Sequence, residues 1–568
     1  MDYQEQLNNE RIKAQNEQFY GFEIPEREEF NVKLNILLKS LFDNKLKEGQ
    51  EIYKSDRKNF PKKLRKWEDI NFNRVRALGE KLSKKIIWSR PNETKNYFIF
   101  KGDPKIEYIK QSKNINNCYF WAAIGALCNK NSDTIKKLFH ITERTKEQAY
   151  GIYFYINGKR TLIIIDDYLA YDSKNNLYFC SSYDETELWV SLIEKAFAKV
   201  KGGYLNTENN VSKEAFEYLT GIYSQQIRIK NKSKESLWKI LKESKDYPIC
   251  AGTEDFFFKK NLKTEHAYTL IEVSEENDVK KVKLRDPYGK DQGKNLGERN
   301  DIFSISYDDF YEYFVLVEIN YFKKGLKENF IKIKKEQSLR MQIFELKNEY
   351  EDNEVSINLY QKNKYNPVFS YIMLIKKNEK ENNQNYKYKY KDSITSLKLK
   401  DSSDQSNNYE RHIGLKNKKL KKGTYYICCD INFRFLDKSI HGYHLNIFSE
   451  KEIKKENIKN VTEQLSADEG IKIIHESVKN LCENVIDNNN NVRVSIFENK
   501  AKLPFDVLCF QNPNEKKINI ELSLNENDLY SKYCIYNDIK AGEFDNTLIK
   551  EIEGKKYEII KIMHFKHK

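Results

Sequence analysis

No stretch of the 568 residues reaches the ~18–20 consecutive apolar positions of a membrane-spanning helix. The longest candidate, Tyr119 to Cys128, holds ten apolar or small residues and then meets Asn129 and Lys130. The first residues, MDYQEQLNNERIKAQ, lack the apolar core of a secretory leader. These absences predict a soluble cytoplasmic protein with no transmembrane segment. There is no C-x-x-C pair, which argues against a zinc knuckle. The nine cysteines are odd in number and widely scattered, and a chain this long has no need of a disulfide framework. Free thiols in a reducing compartment are expected. Neither a G-x-x-x-x-G-K-[ST] phosphate loop nor a G-x-S-x-G elbow occurs.

Charge of one sign is in modest excess: 99 Lys and Arg against 85 Asp and Glu, net +14. A basic chain invites a nucleic-acid reading. Here the lysines are interspersed with acids, and Lys, Asn, Ile, Tyr and Phe, all residues of A/T-rich codons, are abundant together. No nucleic-acid partner is expected. Hydrophobic residues make up 39% and aromatic residues 13%, enough to build cores.

The pattern along the chain predicts an α+β protein of several domains. Residues 1–60 read as a charged helical extension. Residues 61–205 and 206–325 mix helices and strands, with helices at 119–128 and ELWVSLIEKAFAKV and strands at TLIIIDDYLAY, AYTLIEV and VKKVKLRDPY. From 326 to 452 short alternating runs such as VSINLYQK, VFSYIMLI, GTYYICCDINF and YHLNIFSE, separated by polar turns, predict an antiparallel β-sandwich. Residues 453–568 form a further α/β or β-rich unit of unknown role, opening with a helix-like stretch, EGIKIIHESVKNLCENVI. The tracts NNNN (488–491) and NYKYKYK (385–391) read as loops or edge strands.

One constellation carries chemistry. In NNCYFWAAIGALC, Cys118 follows two turn-forming asparagines and opens an apolar helix. A helix N-terminus presents unpaired N–H groups and a positive partial charge. Both favour the thiolate, which is the nucleophile. Such a thiolate needs a base. His266 opens the apolar strand of TEHAYTLIEV, 148 residues downstream, within the spacing of papain-like enzymes. A third group should orient the imidazole, and Asp286 in LRDPYGK ends the following strand. Each residue alone also has an ordinary structural reading; their order and spacing single them out.

At this point the chain resembles the calpain family of cysteine proteases. The resemblance extends to GIYFYINGKRTLIIIDDYLAY, ETELWVSLIEKAFAKVKGGY, EAFEYLTG, ISYDDFYEYFVLVEIN and, in the β-rich region, RHIGLKNKKLKKGTYYICCDI, covering roughly residues 60–450. It implies a two-lobed papain-like protease core followed by a calpain-type β-sandwich. The implied activity is an intracellular endopeptidase that cleaves proteins through a thioester. Cys118 then carries over as nucleophile and His266 as base, Asp286 stands where the family has Asn, and Glu187 in ETELW stands where the family has a calcium-ligating glutamate. Calcium is the implied cofactor. An EF-hand is not expected: DNNNNVRVSIFE has Val492 where the loop needs Gly.

The chain also departs from the family pattern. The oxyanion glutamine normally lies six residues before the cysteine; here that position is Ser112, and Gln111 is the candidate donor. Tyr119 and Tyr288 replace tryptophans and are expected to face substrate. These departures keep a second reading open, a calpain-like scaffold without catalysis. The basic run KNKKLKKG (416–423) reads as a solvated hairpin or, alternatively, as a contact for anionic lipid.

Overall fold

A computed structural model describes residues 68–462, apart from 93, 145–147, 255–261, 290–300, 334–341, 362–369, 378–387, 396–411 and 432–442. It also describes residue 464 and six strands between 483 and 563. Expectations for residues 1–60 lie outside the described residues. The chain divides into two compact units, Met1–Lys324 and Gly325–Lys568. No described helix is long and apolar enough to cross a membrane.

The longer elements of the first unit begin with helix α1 (Arg74–Ser83) and helix α2 (Cys118–Lys130). The hairpin of β1 (Ala149–Ile156) and β2 (Lys159–Asp166) follows, then α3 (Trp189–Lys201) and α4 (Ser212–Thr220). All of α2 from Cys118 to Cys128 is buried, which explains why its sequence is apolar all round rather than striped. It packs in one core with α3 and α4, where Phe120 stacks on Phe197 with centroids 4.0 Å apart. Helix α3 stops at Gly202, whose φ of 91° is the left-handed conformation that glycine adopts without strain.

The chain then builds a six-stranded sheet. Its elements are β3 (Ser224–Arg228), α5 (Lys234–Glu243), β4 (Ile249–Thr253), β5 (Ala267–Glu276), β6 (Val279–Arg285), β7 (Ile302–Ser306), α6 (Tyr307–Tyr313) and β8 (Phe314–Asn320). The spatial order is β7-β6-β5-β4-β8-β3. The β5–β6 turn places Asn277 and Asp278 at positive φ, the geometry a tight hairpin requires and these residues tolerate.

Two features join this sheet to α2. The register of β5 and β6 slips between Lys283 and Leu284, a β-bulge that leaves Ile271 without an opposite residue. Asn129 at the end of α2 donates its side-chain N–H to the Ile271 carbonyl at 3.1 Å. The Thr269 hydroxyl donates to the carbonyl of Ala122 at 2.8 Å. Gly125 permits this approach, because a Cβ there would lie 2.6 Å from Thr269 Oγ1.

The second unit contains two antiparallel sheets. Its strands are β9 (Lys327–Ile333), β10 (Gln342–Asn348), β11 (Asn353–Gln361), β12 (Ser370–Lys377), β13 (Tyr388–Thr395), β14 (His412–Leu420), β15 (Gly423–Ile431), β16 (Tyr443–Ser449) and β17 (Ile458–Asn460). One sheet runs β9-β16-β11-β14 and the other β13-β12-β15-β10-β17. Leu359, Leu445 and Ile413 from the first and Leu374, Ile427 and Phe344 from the second are buried in one cluster. Part of the NYKYKYK tract forms β13, at the edge of its sheet.

Two expectations need correction. The basic run 416–423 is not a hairpin: β14 pairs in one sheet and β15 in the other, so Lys421 and Lys422 turn a corner between sheets. The helix-like stretch 469–486 ends in a strand, β18 (Glu483–Asp487), which pairs with β19 (Val492–Phe497) across the NNNN tract. Its earlier residues lie outside the described ones. The remaining strands are β20 (Phe505–Gln511), β21 (Ile518–Ser523), β22 (Thr547–Ile552) and β23 (Tyr557–Met563), arranged as β18-β19-β20-β23 and β21-β22.

Candidate active site

Cys118 is the first residue of α2. Asn117 occupies the N-cap position, but its side chain does not cap the helix. It is buried and donates instead to Glu194 Oε1 of α3 at 2.7 Å. The other Glu194 oxygen accepts the Cys180 backbone N–H at 2.9 Å. With the capping side chain turned away, the first N–H groups of the helix stay directed at the thiol end. Glu194 is 0% exposed and burial raises its pKa, an effect opposed by the donors around it.

His266 immediately precedes β5, and Asp286 immediately follows β6. Because these strands are antiparallel neighbours, the two side chains meet at one sheet end. His266 Nε2 and Asp286 Oδ1 are 2.8 Å apart, which leaves Nδ1 as the ring nitrogen for Cys118. Asp286 also accepts from the Tyr288 backbone N–H at 3.0 Å. The Tyr288 ring lies nearly parallel to the imidazole, at 9° with centroids 5.1 Å apart. Tyr268 meets the imidazole edge-on at 4.8 Å. Thr253 Oγ1 accepts the His266 backbone N–H at 3.0 Å, fixing the entry of the chain into β5.

The electrostatics follow from this packing. Burial pushes the Cys118 thiol up, but the hydrogen bond and charge of His266, with the backbone at Ala267 and Tyr119, more than offset it, and its pKa falls below the usual thiol range. Burial pulls His266 down, while Asp286 and Cys118 carry it up to about 9. Burial raises Asp286, yet His266 and the Lys263 ammonium hold it well below the usual carboxylate range. The other thiols with a resolved shift move the opposite way: burial pushes Cys128 up to about 12, and Cys180 and Cys250 well above the thiol range. Reactivity follows the thiolate fraction, so Cys118 is chemically set apart from them.

The remaining sequence candidates are placed differently. Gln111 is buried; its backbone N–H donates to the Pro287 carbonyl at 3.0 Å, tying the loop before Cys118 to the Asp286 loop. Its side-chain amide donates to the Ile115 carbonyl at 3.2 Å. Tyr288 is half-buried beside the imidazole. Tyr119 is a correction: at 1% exposure it packs in the core, because the second residue of a fully buried helix faces inward. Two residues that the sequence did not single out complete the site. Lys263 Nζ lies 2.5 Å from Asp286 Oδ2. Arg285 is fully buried, paired with Asp301 at 2.9 Å, and donates to the Ile109 carbonyl at 2.6 Å, anchoring the base of the Asp286 loop.

Glu187 offers a test of the calcium ion that the resemblance implies. Its Oε1 accepts the Lys101 backbone N–H at 3.1 Å, and its Oε2 accepts the Ser182 hydroxyl at 2.8 Å. The nearby Asp184 carboxylate is paired with the Lys101 ammonium at 2.6 Å. No group of three His, Cys, Asp or Glu side chains able to hold a metal occurs among the described residues. Calcium takes six to eight oxygen ligands. Each Glu187 oxygen accepts a protein donor and Asp184 is paired with an ammonium, so among the described residues no acidic cluster around Glu187 fits the ion.

Comparison with known proteins adds the family. The model of the calpain family cysteine protease matches residues 67–295. The chain is 24% identical over 223 residues to the calpain-type cysteine protease ADL1 of Oryza sativa subsp. japonica, covering 36% of this chain and 10% of that protein. It is 28% identical over 231 residues to human calpain-14, covering 38% of this chain and 33% of that protein. The chain thus spans about a tenth to a third of the length of such relatives. Among solved structures, the cysteine protease and lectin-like domains of Cwp84 from Clostridium difficile align at 9% identity and a TM-score of 0.17, over 42% of this chain and 59% of that one, too low to bear on the fold. Cys118, His266 and Asp286 all lie inside the segment that matches the calpain family cysteine protease model.

Proposed function

We propose that this protein is a cysteine endopeptidase that cleaves protein substrates with a Cys118/His266/Asp286 triad on a two-lobed papain-like core. The lobes are residues 61–205, carrying the nucleophile, and 206–325, carrying the base. The 326–452 segment is the calpain-type β-sandwich, and 453–568 is a separate C-terminal domain. The observation that carries the reading is the lowered pKa of Cys118 under His266, while the imidazole is held by Asp286 at 2.8 Å. The six described cysteines are all free thiols, in keeping with the reducing, cytoplasmic setting proposed here.

The chemistry follows from the positions. The Cys118 thiolate attacks the scissile carbonyl carbon, and the carbonyl oxygen takes the electron pair. The Cys118 backbone N–H at the start of α2 donates to this oxyanion, and the second donor is the Gln111 amide N–H that does not go to the Ile115 carbonyl. Donors of this kind are each worth about 10²–10³ in rate. The His266 imidazolium gives its proton to the leaving amine as the C–N bond breaks, leaving a thioester on Cys118. Neutral His266 then takes a proton from water, whose oxygen attacks the thioester; the acid product leaves and the thiolate–imidazolium pair is restored. The scaffold reading rests on Gln111, whose side-chain amide is directed at Ile115. The convergence of the three triad residues favours the enzyme. The test is hydrolysis of an unfolded protein by the wild type and by Cys118→Ala. Cleavage lost in the variant supports the protease, and equal negligible turnover by both supports the scaffold.

A further inference from the structure

We propose that Lys263 is a positioning residue that cancels the extra charge of Asp286, so that the carboxylate orients His266 as a neutral amide would. This rests on the protease reading above and deepens it.

The resemblance puts a neutral asparagine at this position, and a carboxylate stabilises imidazolium more strongly than an amide does. Overstabilised imidazolium is a poor acid toward the leaving amine, since proton transfer is most efficient when the pKa lies near the working pH. The structure holds the compensation. The two Asp286 oxygens are divided: Oδ1 faces His266 Nε2 at 2.8 Å, and Oδ2 faces Lys263 Nζ at 2.5 Å. The ammonium also sits 4.3 Å from the centre of the Tyr288 ring, the ring stacked on His266. The Lys263 backbone is fixed as well. Its N–H donates to the Tyr268 hydroxyl at 2.8 Å, and its carbonyl accepts from Thr253 Oγ1 at 2.7 Å. Tyr268 and Thr253 both also contact His266. One short segment, Lys263 to His266, therefore delivers both the base and the cation that moderates its partner.

The charged and titratable groups around the imidazole are Cys118 from α2, Tyr268 on β5, and Asp286, Tyr288 and Lys263 on the flanking loops, with Arg285 behind Asp286 and itself paired to Asp301. Lys263 is the cation in this set that reaches solvent: its side chain is 37% exposed, against 0% for Arg285. It can be replaced without opening the core.

The test is a double-mutant cycle on Lys263→Met and Asp286→Asn in the full chain. It is read by the pH profile of Cys118 alkylation with iodoacetate, an anion whose attack follows the thiolate–imidazolium pair, and by NMR titration of the His266 ring. In Lys263→Met the basic limb and the His266 midpoint should rise by about 0.5–1 pH unit. In Asp286→Asn, with the ammonium left alone beside the imidazole, both should fall by at least about 1 unit. In the double variant they should return to within about 0.3 unit of wild type. An unchanged profile in Lys263→Met, or a double variant that falls as far as Asp286→Asn alone, would overturn the proposal. Failure of the underlying reading looks different: wild-type Cys118 would then show no thiolate reactivity below the ordinary thiol range.

Discussion

The two halves of the thiol–imidazole pair are built on opposite plans. The nucleophile side is closed. Cys118 starts a helix with no exposed residue from Cys118 to Cys128, and Asn117 and Glu194 behind it are fully buried. The base side is open to adjustment. Asp286 keeps 16% of its side chain exposed and Lys263 37%, and the carboxylate bridges the imidazole and the ammonium. The thiol is thus positioned by packing and by buried hydrogen bonds behind it. The base is tuned by charges that can change without disturbing the core. Substitutions on the first side should register in stability, and those on the second in pH dependence.

The largest expected effect falls on the shared centre. Cys118→Ala should lower protein hydrolysis by at least about 10⁴-fold, the scale on which triad members act, measured with an unfolded substrate. Asp286→Ala should follow at about 10²-fold, the lower range for a group serving general acid–base catalysis. Its pH profile should narrow from the basic side. The sign follows from His266, whose pKa of about 9 depends on Asp286. Imidazolium persists in wild type until the pH passes about 9 and would be lost earlier without the carboxylate. The same shift predicts a folding contribution that is full below pH about 6.5 and disappears as pH rises through about 9.

Glu194→Ala separates the two sides most cleanly. It leaves the Asn117 amide and the Cys180 N–H buried without their acceptor. At about 1–3 kcal/mol for each stranded group, the loss should be roughly 3 kcal/mol in denaturant unfolding, with the basic limb of the pH profile unmoved. Gly125→Ala should cost about 1–3 kcal/mol, because its new methyl would meet Thr269 Oγ1 at 2.6 Å. The smallest effect is the one expected from chelation. With each Glu187 oxygen accepting a protein donor and no acidic cluster around it among the described residues, adding a calcium chelator should leave hydrolysis unchanged. A tenfold drop would contradict that account of Glu187.

The same contrast explains what the sequence disclosed. The helix at Cys118 announces itself locally, through two asparagines before an apolar run. His266 and Asp286 are legible because strand ends and spacing can be read along the chain. Lys263 was not legible: it is one cation among 99 Lys and Arg, and its meaning depends on which carboxylate it meets in space. Glu194 left only a faint trace, one of two adjacent charged residues, with Lys195, set between the apolar pairs Leu192–Ile193 and Ala196–Phe197. Tyr119 was misplaced because successive residues of a helix point about 100° apart, which turns Tyr119 from the site into the core. In the second unit, strand positions such as VSINLYQK and YHLNIFSE could be read from alternation. The sheet that each strand joins could not, which is why 416–423 looked like a hairpin and is a corner between sheets.

The central claim is that His266 makes a thiolate of Cys118, while burial keeps Cys128, Cys180 and Cys250 as thiols. The most direct measurement is labelling of the native protein at neutral pH with a peptidyl epoxide, followed by peptide mapping, in wild type and His266→Ala. Among the six described cysteines, the account predicts label on Cys118 alone, lost in the variant. Label on Cys128, Cys180 or Cys250 as well, or equal labelling of Cys118 with and without His266, would contradict it.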